Sequence, residues 1–390
     1  MPALPGSVPM QEGFAMSKAN AGTRLNIAFT DERWQHVEQE WGKFWNGGQN
    51  RPMVNIALAD PDTPEVPEYR GFFPQYPLSM SVQEIVEIES RQLARMRWVG
   101  DAFPSRLMAF GPGSLSLYMG AVPEITGDSV WFRHTASSLA AISTRMDTES
   151  LWFRRVHAIL DHALETWGDA VQVVHSDVNC GLDILGALRG NEALLLDFYD
   201  NPAKVKELTQ GITSAWMENY DIEARKILSH CRGTANWGGM FTRGTTYMLQ
   251  CDFSYNISPG LFEEYVVPDI SALCDHLSDP FYHLDGKGAL PHLDLLLSIK
   301  ALKGIQWVPG AGQPDASEWL DVLAKIRKAG KLCQIMTGPE GARNVVRALG
   351  GNGFVFNIYG VHSVGEAETL FNDLKNEGDD GIDGCKNNCP

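Results

Sequence analysis

The sequence is poor in the signals that name an enzyme outright. It has no G-x-S-x-G elbow and no G-x-x-x-x-G-K-[ST] loop, so it offers neither the usual hydrolase serine nor the usual phosphate cradle. No glycine-rich turn follows the first strand-like run, which argues against a dinucleotide-binding start. Long apolar runs are missing, as is the charged-then-apolar order of a secretion signal. No segment is predicted to span a bilayer, and the cytoplasm is the expected compartment. Basic residues are outnumbered: 32 Lys and Arg against 48 Asp and Glu give a net charge of -16. A field of that sign repels phosphate backbones and anionic lipid, so neither nucleic acid nor a membrane is an expected partner. The seven cysteines are odd in number and scattered from Cys180 to Cys389. That pattern reads as reduced thiols rather than a disulfide framework, with Cys385 and Cys389 the pair to watch.

What is present is an alternation of apolar strand-like runs with helical patterns. Of 390 residues 44% are hydrophobic, enough for one large α/β barrel or two average domains. Residues 1–22, rich in Gly, Pro, Ser and Ala, read as a mobile leader. Thr30 or Asp31 can cap a helix whose Trp34, Val37, Trp41, Phe44 and Trp45 recur at helical spacing and should dock on the body. Ser81 and Glu84 are placed as a capping box for a helix running on to Gly100. Strand-like runs fall near 52, 106, 171, 234, 281, 305, 332 and 354, with helices between them. Repeated strand then helix implies a parallel sheet, and eight such units predict a (β/α)8 TIM barrel, here over residues 23–378 as one domain with an N-terminal helical extension. Residues 379–390 are expected to be a flexible tail.

In a barrel, the residues just past each strand face the active-site mouth. That rule collects Asp60, Gly111, His175, Asp177, Asn179, Trp237, His283, Asp285, Trp307, Gln313, Thr337, Tyr359 and His362. Their chemistry is acid/base with aromatic walls. His283 and Asp285 stand at i and i+2, so on an extended strand end they share one face. There they can ligate a metal, or the carboxylate can orient the imidazole. His175 and Asp177 repeat the spacing on another strand end. Asp252 can complete a metal set with His283 and Asp285, act as a general acid or base, or simply cap a helix. Asn179, Trp237, Trp307, Gln313, Tyr359 and His362 are expected to line the substrate pocket, with His175, Asp177, Asp252, His283 and Asp285 as the catalytic candidates.

Three segments carry a resemblance: DFSYNISPGLFEEYVVPD, FYHLDGKGALPHLDLL and the GIQWVPG strand, preceded by HSDVNCGLDILGALRGNEALLLDFYDNPAKVKEL. Over roughly residues 172–370 the chain resembles the uroporphyrinogen decarboxylase superfamily, which includes corrinoid-dependent methyltransferases. The resemblance implies a (β/α)8 barrel, a homodimer, a divalent metal such as zinc, and a corrinoid carried on a partner protein. In the thiol-activating methyltransferases the zinc site has an H-x-C motif and a later Cys. Here Asp285 stands where the first Cys would be, and Tyr359 and His362 follow the last strand. A hard carboxylate in place of a thiolate points to an O/N-ligated metal. The decarboxylase's N-terminal arginine cluster is reduced to Arg70, so a polyanionic tetrapyrrole is not an expected substrate. The leading expectation is methyl transfer between a small methylated molecule and a corrinoid protein or other acceptor. The alternatives are a cofactor-independent decarboxylase of a small carboxylic acid and a non-catalytic small-molecule-binding barrel.

Overall fold

The computed structural model describes Leu25, residues 27–127 and residues 129–384, with residues 378–384 as backbone alone. The expected leader, Cys385 and Cys389 lie outside the described residues. In chain order the strands are β1 (Met53–Ala59), β2 (Met96–Gly100), β3 (Ser105–Leu107), β4 (Val122–Ile125), β5 (Val130–Arg133), β6 (Gln172–Val174) and β7 (Thr234–Asn236). They continue with β8 (Met240–Thr242), β9 (Met248–Gln250), β10 (Phe281–Asp285), β11 (Gly304–Val308), β12 (Leu332–Thr337) and β13 (Phe354–Ile358).

Seven of these form one sheet in the order β2-β1-β13-β12-β11-β10-β9. Its neighbours are parallel except β2, which runs antiparallel to β1. β3 and β6 make a separate parallel pair, and β4–β5 and β7–β8 are antiparallel hairpins. The architecture is mixed α/β around a parallel sheet. The closed ring of eight paired strands expected from the sequence is not formed among the described residues.

Two local events explain the difference. The segment expected as a fourth ring strand, Thr234–Asn236, turns back on itself through Trp237-Gly238-Gly239 and pairs with β8. The strand that joins β10 is instead β9. The helix at Ser81 has its capping box but stops at Ala94. Met96–Gly100, expected as its continuation, pairs residue by residue with β1; Trp98 and Val99 suit a pleated, half-buried surface better than a helix end. Pro268 also leaves its mark. It cannot donate a helical hydrogen bond, and the chain passes through a π turn, Phe262–Val266, before the helix Val267–His276.

One end of the sheet is sealed. The helix Asp31–Trp45, capped by Thr30, buries Trp34, Val37, Trp41 and Phe44. These pack with Met53, Met248, Phe281 and Val355 from the starts of the strands, and with Ala235, Met240 and Phe241 of the hairpin. The packing is tight enough that a Cβ on Gly304 would sit 2.2 Å from the Phe281 ring. The indoles of Trp41 and Trp45 donate to the backbone oxygens of Asp101 and Phe241. With this end filled by hydrocarbon, polar chemistry is left to the C-terminal ends of the strands. The five described cysteines are free and buried. No described helix is long and apolar enough to cross a membrane, and the last helix, Val364–Gly384, runs into the stretch expected as a tail.

Candidate active site

Above the apolar seal lies a belt of amides. Gln250, His283, Gln306 and Gln334 are direct register partners across β9, β10, β11 and β12. Side chains alternate between faces along a strand, so residues in register line one face together. Asn55 and Asn357 are paired in the same way across β1 and β13. The hairpin turn reaches this face. Gly238 has no room for a side chain: a Cβ would lie 2.6 Å from the Gln334 Oε1 and 2.6 Å from the Met248 methyl. That close approach lets the backbone oxygen of Gly238 accept from Gln334 Nε2 (2.5 Å) and from Asn357 Nδ2 (2.9 Å). Asn55 Nδ2 donates to Gly239 O and Asn357 Oδ1, both at 3.0 Å.

The belt has a direction, and the direction fixes a proton. A backbone carbonyl can only accept, so the Gln334 amide must turn its nitrogen to Gly238 and its oxygen to Gln306. Gln306 Nε2 donates to that oxygen at 2.9 Å. The Gln306 oxygen therefore faces His283 Nδ1, with which it is hydrogen bonded. An acceptor there requires that Nδ1 carry the hydrogen. The neutral imidazole then presents an Nε2 lone pair at the strand end, where Asp285 Oδ2 lies 4.0 Å away.

Carboxyl groups crowd the next strand end. Asn179, at φ 53, is the only described non-glycine residue with positive φ. Its side chain accepts from Gln250 at the end of the belt. It also lies close enough to Asp252 and Asp177 to pull both carboxyls downward. Asp183, in the first turn of the helix Gly181–Arg189, accepts from the backbone N–H groups of Asp252 (3.1 Å) and Phe253 (2.7 Å). Burial, then the Asp252 charge, pushes the Asp177 carboxyl up to about 7. Burial and the same neighbour push Asp183 well up. Asp252, at the rim with solvent on one side, is raised by burial and by Asp285, against the lowering pull of His283. Too many carboxyl groups share too little solvent for all to ionise, so the cluster holds protons near neutral pH. One Asp177 oxygen has no partner.

Two cavities open beside these groups. The larger, 880 Å³, is bounded by Asn179, Asp183 and Asp252 on one side and by Trp131 and Phe132 of the β4–β5 hairpin on the other. The smaller, 270 Å³, lies against Asn55, Asn357, Trp237 and Tyr359. The Trp237 ring meets His283 edge to face at 5.0 Å.

The structure thus brings together Asp177, Asn179, Asp252, His283, Asp285 and Trp237. It places other candidates elsewhere. His175 is buried in an aromatic stack, 4.3 Å from the Tyr220 ring, and burial pushes it down to about 3. Trp307 is fully buried against Trp319 on the helix-covered face; Gln306, one residue earlier, takes the site-facing position. The Tyr359 phenol donates to Asp315 at 2.6 Å. His362 lines a third cavity, of 380 Å³, beside β1 and β13. Gln313 lies in the turn after β11, with its N–H on Gly310 O. Gln250, Gln306, Gln334, Asn55, Asn357 and Asp183 are site residues that the sequence reading did not select. A single Gln inside each of the apolar runs MLQ, GIQWV and LCQIMT was the available signal. As for a metal, among the described residues no group of three or more His, Cys, Asp or Glu side chains could hold one, so His283, Asp285 and Asp252 do not assemble as the expected ligand set.

The fold has a known likeness. A solved methyltransferase from Methanosarcina mazei is similar, with a TM-score of 0.51 and 11% identity over 70% of this chain and 80% of that one. No protein-family model matches the sequence, and no curated protein does.

Proposed function

We propose that this protein is a methyl-transfer enzyme acting on a small molecule held at the C-terminal strand ends between His283 and the Asp177–Asp183–Asp252 cluster. The fold likeness to a methyltransferase supports the reaction class. The observation that carries the assignment of residues is the proton-holding cluster beside a histidine of fixed tautomer. When a methyl group leaves an oxygen, nitrogen or sulfur, the bond from that atom to carbon breaks and the atom is left with an electron pair to be protonated. A carboxylic acid near its pKa at neutral pH is a suitable donor, and Asp177, pushed up to about 7, is one. Asp252 at the rim is placed to return the proton from solvent. His283 Nε2 accepts a hydrogen bond from substrate or holds the proton of an incoming acceptor. Following the resemblance in the sequence, the methyl carrier in this reading is a corrinoid on a partner protein, which supplies the nucleophile when bound. Binding, orientation and proton movement fall to the residues named here.

The test is methyl transfer from O-, N- and S-methyl donors to free cobalamin held reduced as cob(I)alamin without oxygen, followed by absorbance. Wild type is expected to turn over at least one donor class, and Asp177→Asn to lower the rate about 10²–10⁴-fold, the usual worth of a general acid. No transfer with any class, or an unimpaired Asp177→Asn, would sink the proposal. The same protonated carboxyl favours a second reading, decarboxylation of a small acid with Asp177 protonating the carbanion. It is the weaker one, because an anionic substrate would enter a field already made negative by Asp252 and Asp285. Release of CO2 without any methyl carrier would reverse that order.

A further inference from the structure

Away from the carboxyl cluster, the larger cavity has a wall of mixed donors and acceptors. Its floor follows the helix Gly181–Arg189, where Asp183, Gly186, Ala187 and Gly190 fall at i, i+3, i+4 and i+7 and share one face. Between Asp183 and Arg189, about 9 Å along the axis, only Gly186 and Ala187 cover that floor. A Cβ on Gly186 would meet Asn191 Oδ1 at 2.7 Å, so the Asn191 amide leans over it. Asn191, Glu192 and His134 are exposed, line the cavity and make no hydrogen bond among the described residues. Arg189 gives Nε to Asp197 and Nη1 to Ser137 O, which leaves Nη2 uncommitted. Asn256, also exposed, gives its nitrogen to Phe253 O and keeps a free oxygen. Opposite stands the β4–β5 hairpin. It is pinned by Val130 and Phe132, which a Cβ on Gly111 or Gly113 would meet at 2.6 and 3.4 Å. Trp131 between them lines the cavity and is 65% exposed. It serves no core, and a large ring held at a polar cleft is a stacking platform.

We infer that the methylated substrate held here is an O-methylated sugar, an uncharged ring rich in hydroxyls. The wall offers donors (Arg189 Nη2, the Asn191 amide) and acceptors (Glu192, Asp252, the Asn256 oxygen) side by side, and a hydroxyl is the group that answers both. A carboxylate ligand brings acceptors only and would face Glu192 and Asp252, while the Arg189 charge is already paired with Asp197 at 2.7 Å. A methylammonium ion brings no acceptor and would leave the Arg189 and Asn191 donors unanswered. The apolar C–H face of a sugar ring suits the Trp131 indole, and 880 Å³ is ample for such a ligand. The inference names the substrate class of the methyl-transfer site and rests on that reading. There the bond from methyl to oxygen breaks and the methyl group passes to the acceptor's nucleophile. The oxygen keeps the electron pair and takes the Asp177 proton, so the sugar leaves with one more free hydroxyl.

The experiment is calorimetric titration of the full-length protein with methyl glucoside, methyl galactoside and methyl mannoside, beside tetramethylammonium and methoxyacetate. At least one sugar is expected to saturate below about 10 mM, with both ions at least about tenfold weaker because each leaves half of the wall unpaired. Trp131→Ala should weaken that sugar about tenfold, and Trp131→Phe, which keeps a ring face, by less. Ala187→Phe should fill the floor and abolish binding. Trp131 is exposed and Ala187 half-exposed, so both variants should keep the wild-type unfolding transition. No sugar saturating below about 10 mM, either ion binding as tightly, or a sugar affinity unchanged in Trp131→Ala and Ala187→Phe would each overturn the inference. Turnover is read apart from binding: sugars that bind without yielding methyl count against the reaction, whereas methyl transfer from other donors with no sugar bound counts against the substrate class alone.

Discussion

Replacing Asp177 by Asn tests whether the carboxyl cluster stores a proton. Burial first, and the Asp252 charge second, raise the Asp177 carboxyl from an ordinary 3.8 to about 7. Between those two values the folded chain holds a proton that the unfolded chain has released, so stability falls as pH rises. The proton's contribution is whole below the lower value and gone once pH has risen through about 7. Each pH unit is worth about 1.4 kcal/mol, which sets an upper value of about 4 kcal/mol for the full window. Charge sharing with Asp252 and solvent at the rim reduce this to on the order of 2 kcal/mol. Asp177→Asn keeps the shape and removes the titration. Its unfolding free energy by urea, relative to wild type, should shift by about 2 kcal/mol in its favour between about pH 4.5 and about pH 8. Using the difference between the two chains cancels Asp183, which burial and the Asp252 charge raise in both. A difference that stays constant across that range would refute the reasoning.

The belt and the aromatic stack give two further expectations. Gln334→Leu removes one of the two donors on the Gly238 carbonyl and leaves the Gln306 nitrogen unpaired, at about 1–3 kcal/mol; nitrogen NMR of His283 should then show a mixture of ring tautomers in place of the single Nδ1–H form, and an unchanged tautomer would disprove the relay. His175→Phe preserves the stack on Tyr220 and removes two ring nitrogens that have no partner, so stability should hold or rise by about 1 kcal/mol. Because burial keeps His175 neutral down to about 3, that change should be the same at pH 5 and pH 8, measured by thermal unfolding.

Alternation of strand and helix was legible in the sequence because each element has its own period, and seven of the expected strands fall in the main sheet or in the β3–β6 pair near their anticipated places. The His283–Asp285 spacing likewise gave the side shared by two functional groups. What the chain does not write locally is which residues meet across strands. Trp307 and Gln306 are adjacent, and only register with β10 and β12 shows that the amide faces the site while the indole faces the helices. The strand β9 is three residues long, too short to carry a period, whereas Thr234–Asn236 looked equally strand-like and folds back because two glycines permit the turn. His175 and Asp177 both lie beyond the end of β6, where the two-residue alternation no longer applies, and one enters an aromatic stack while the other joins the cluster. These outcomes are tertiary decisions, invisible in any one window.

The inserted hairpin also constrains when the polar belt can assemble. Its turn is held by Asn55 from near the beginning of the chain and by Asn357 from near the end, two residues 302 positions apart. On the ribosome β1 emerges early and waits for β13, its parallel neighbour, until synthesis is nearly complete. Such distant pairing forms slowly and leaves strand edges bare in the interval. Chains lacking β13 therefore lose the Asn357 amide that holds the hairpin turn from one side, and the belt that orients His283 is completed only when synthesis is nearly done.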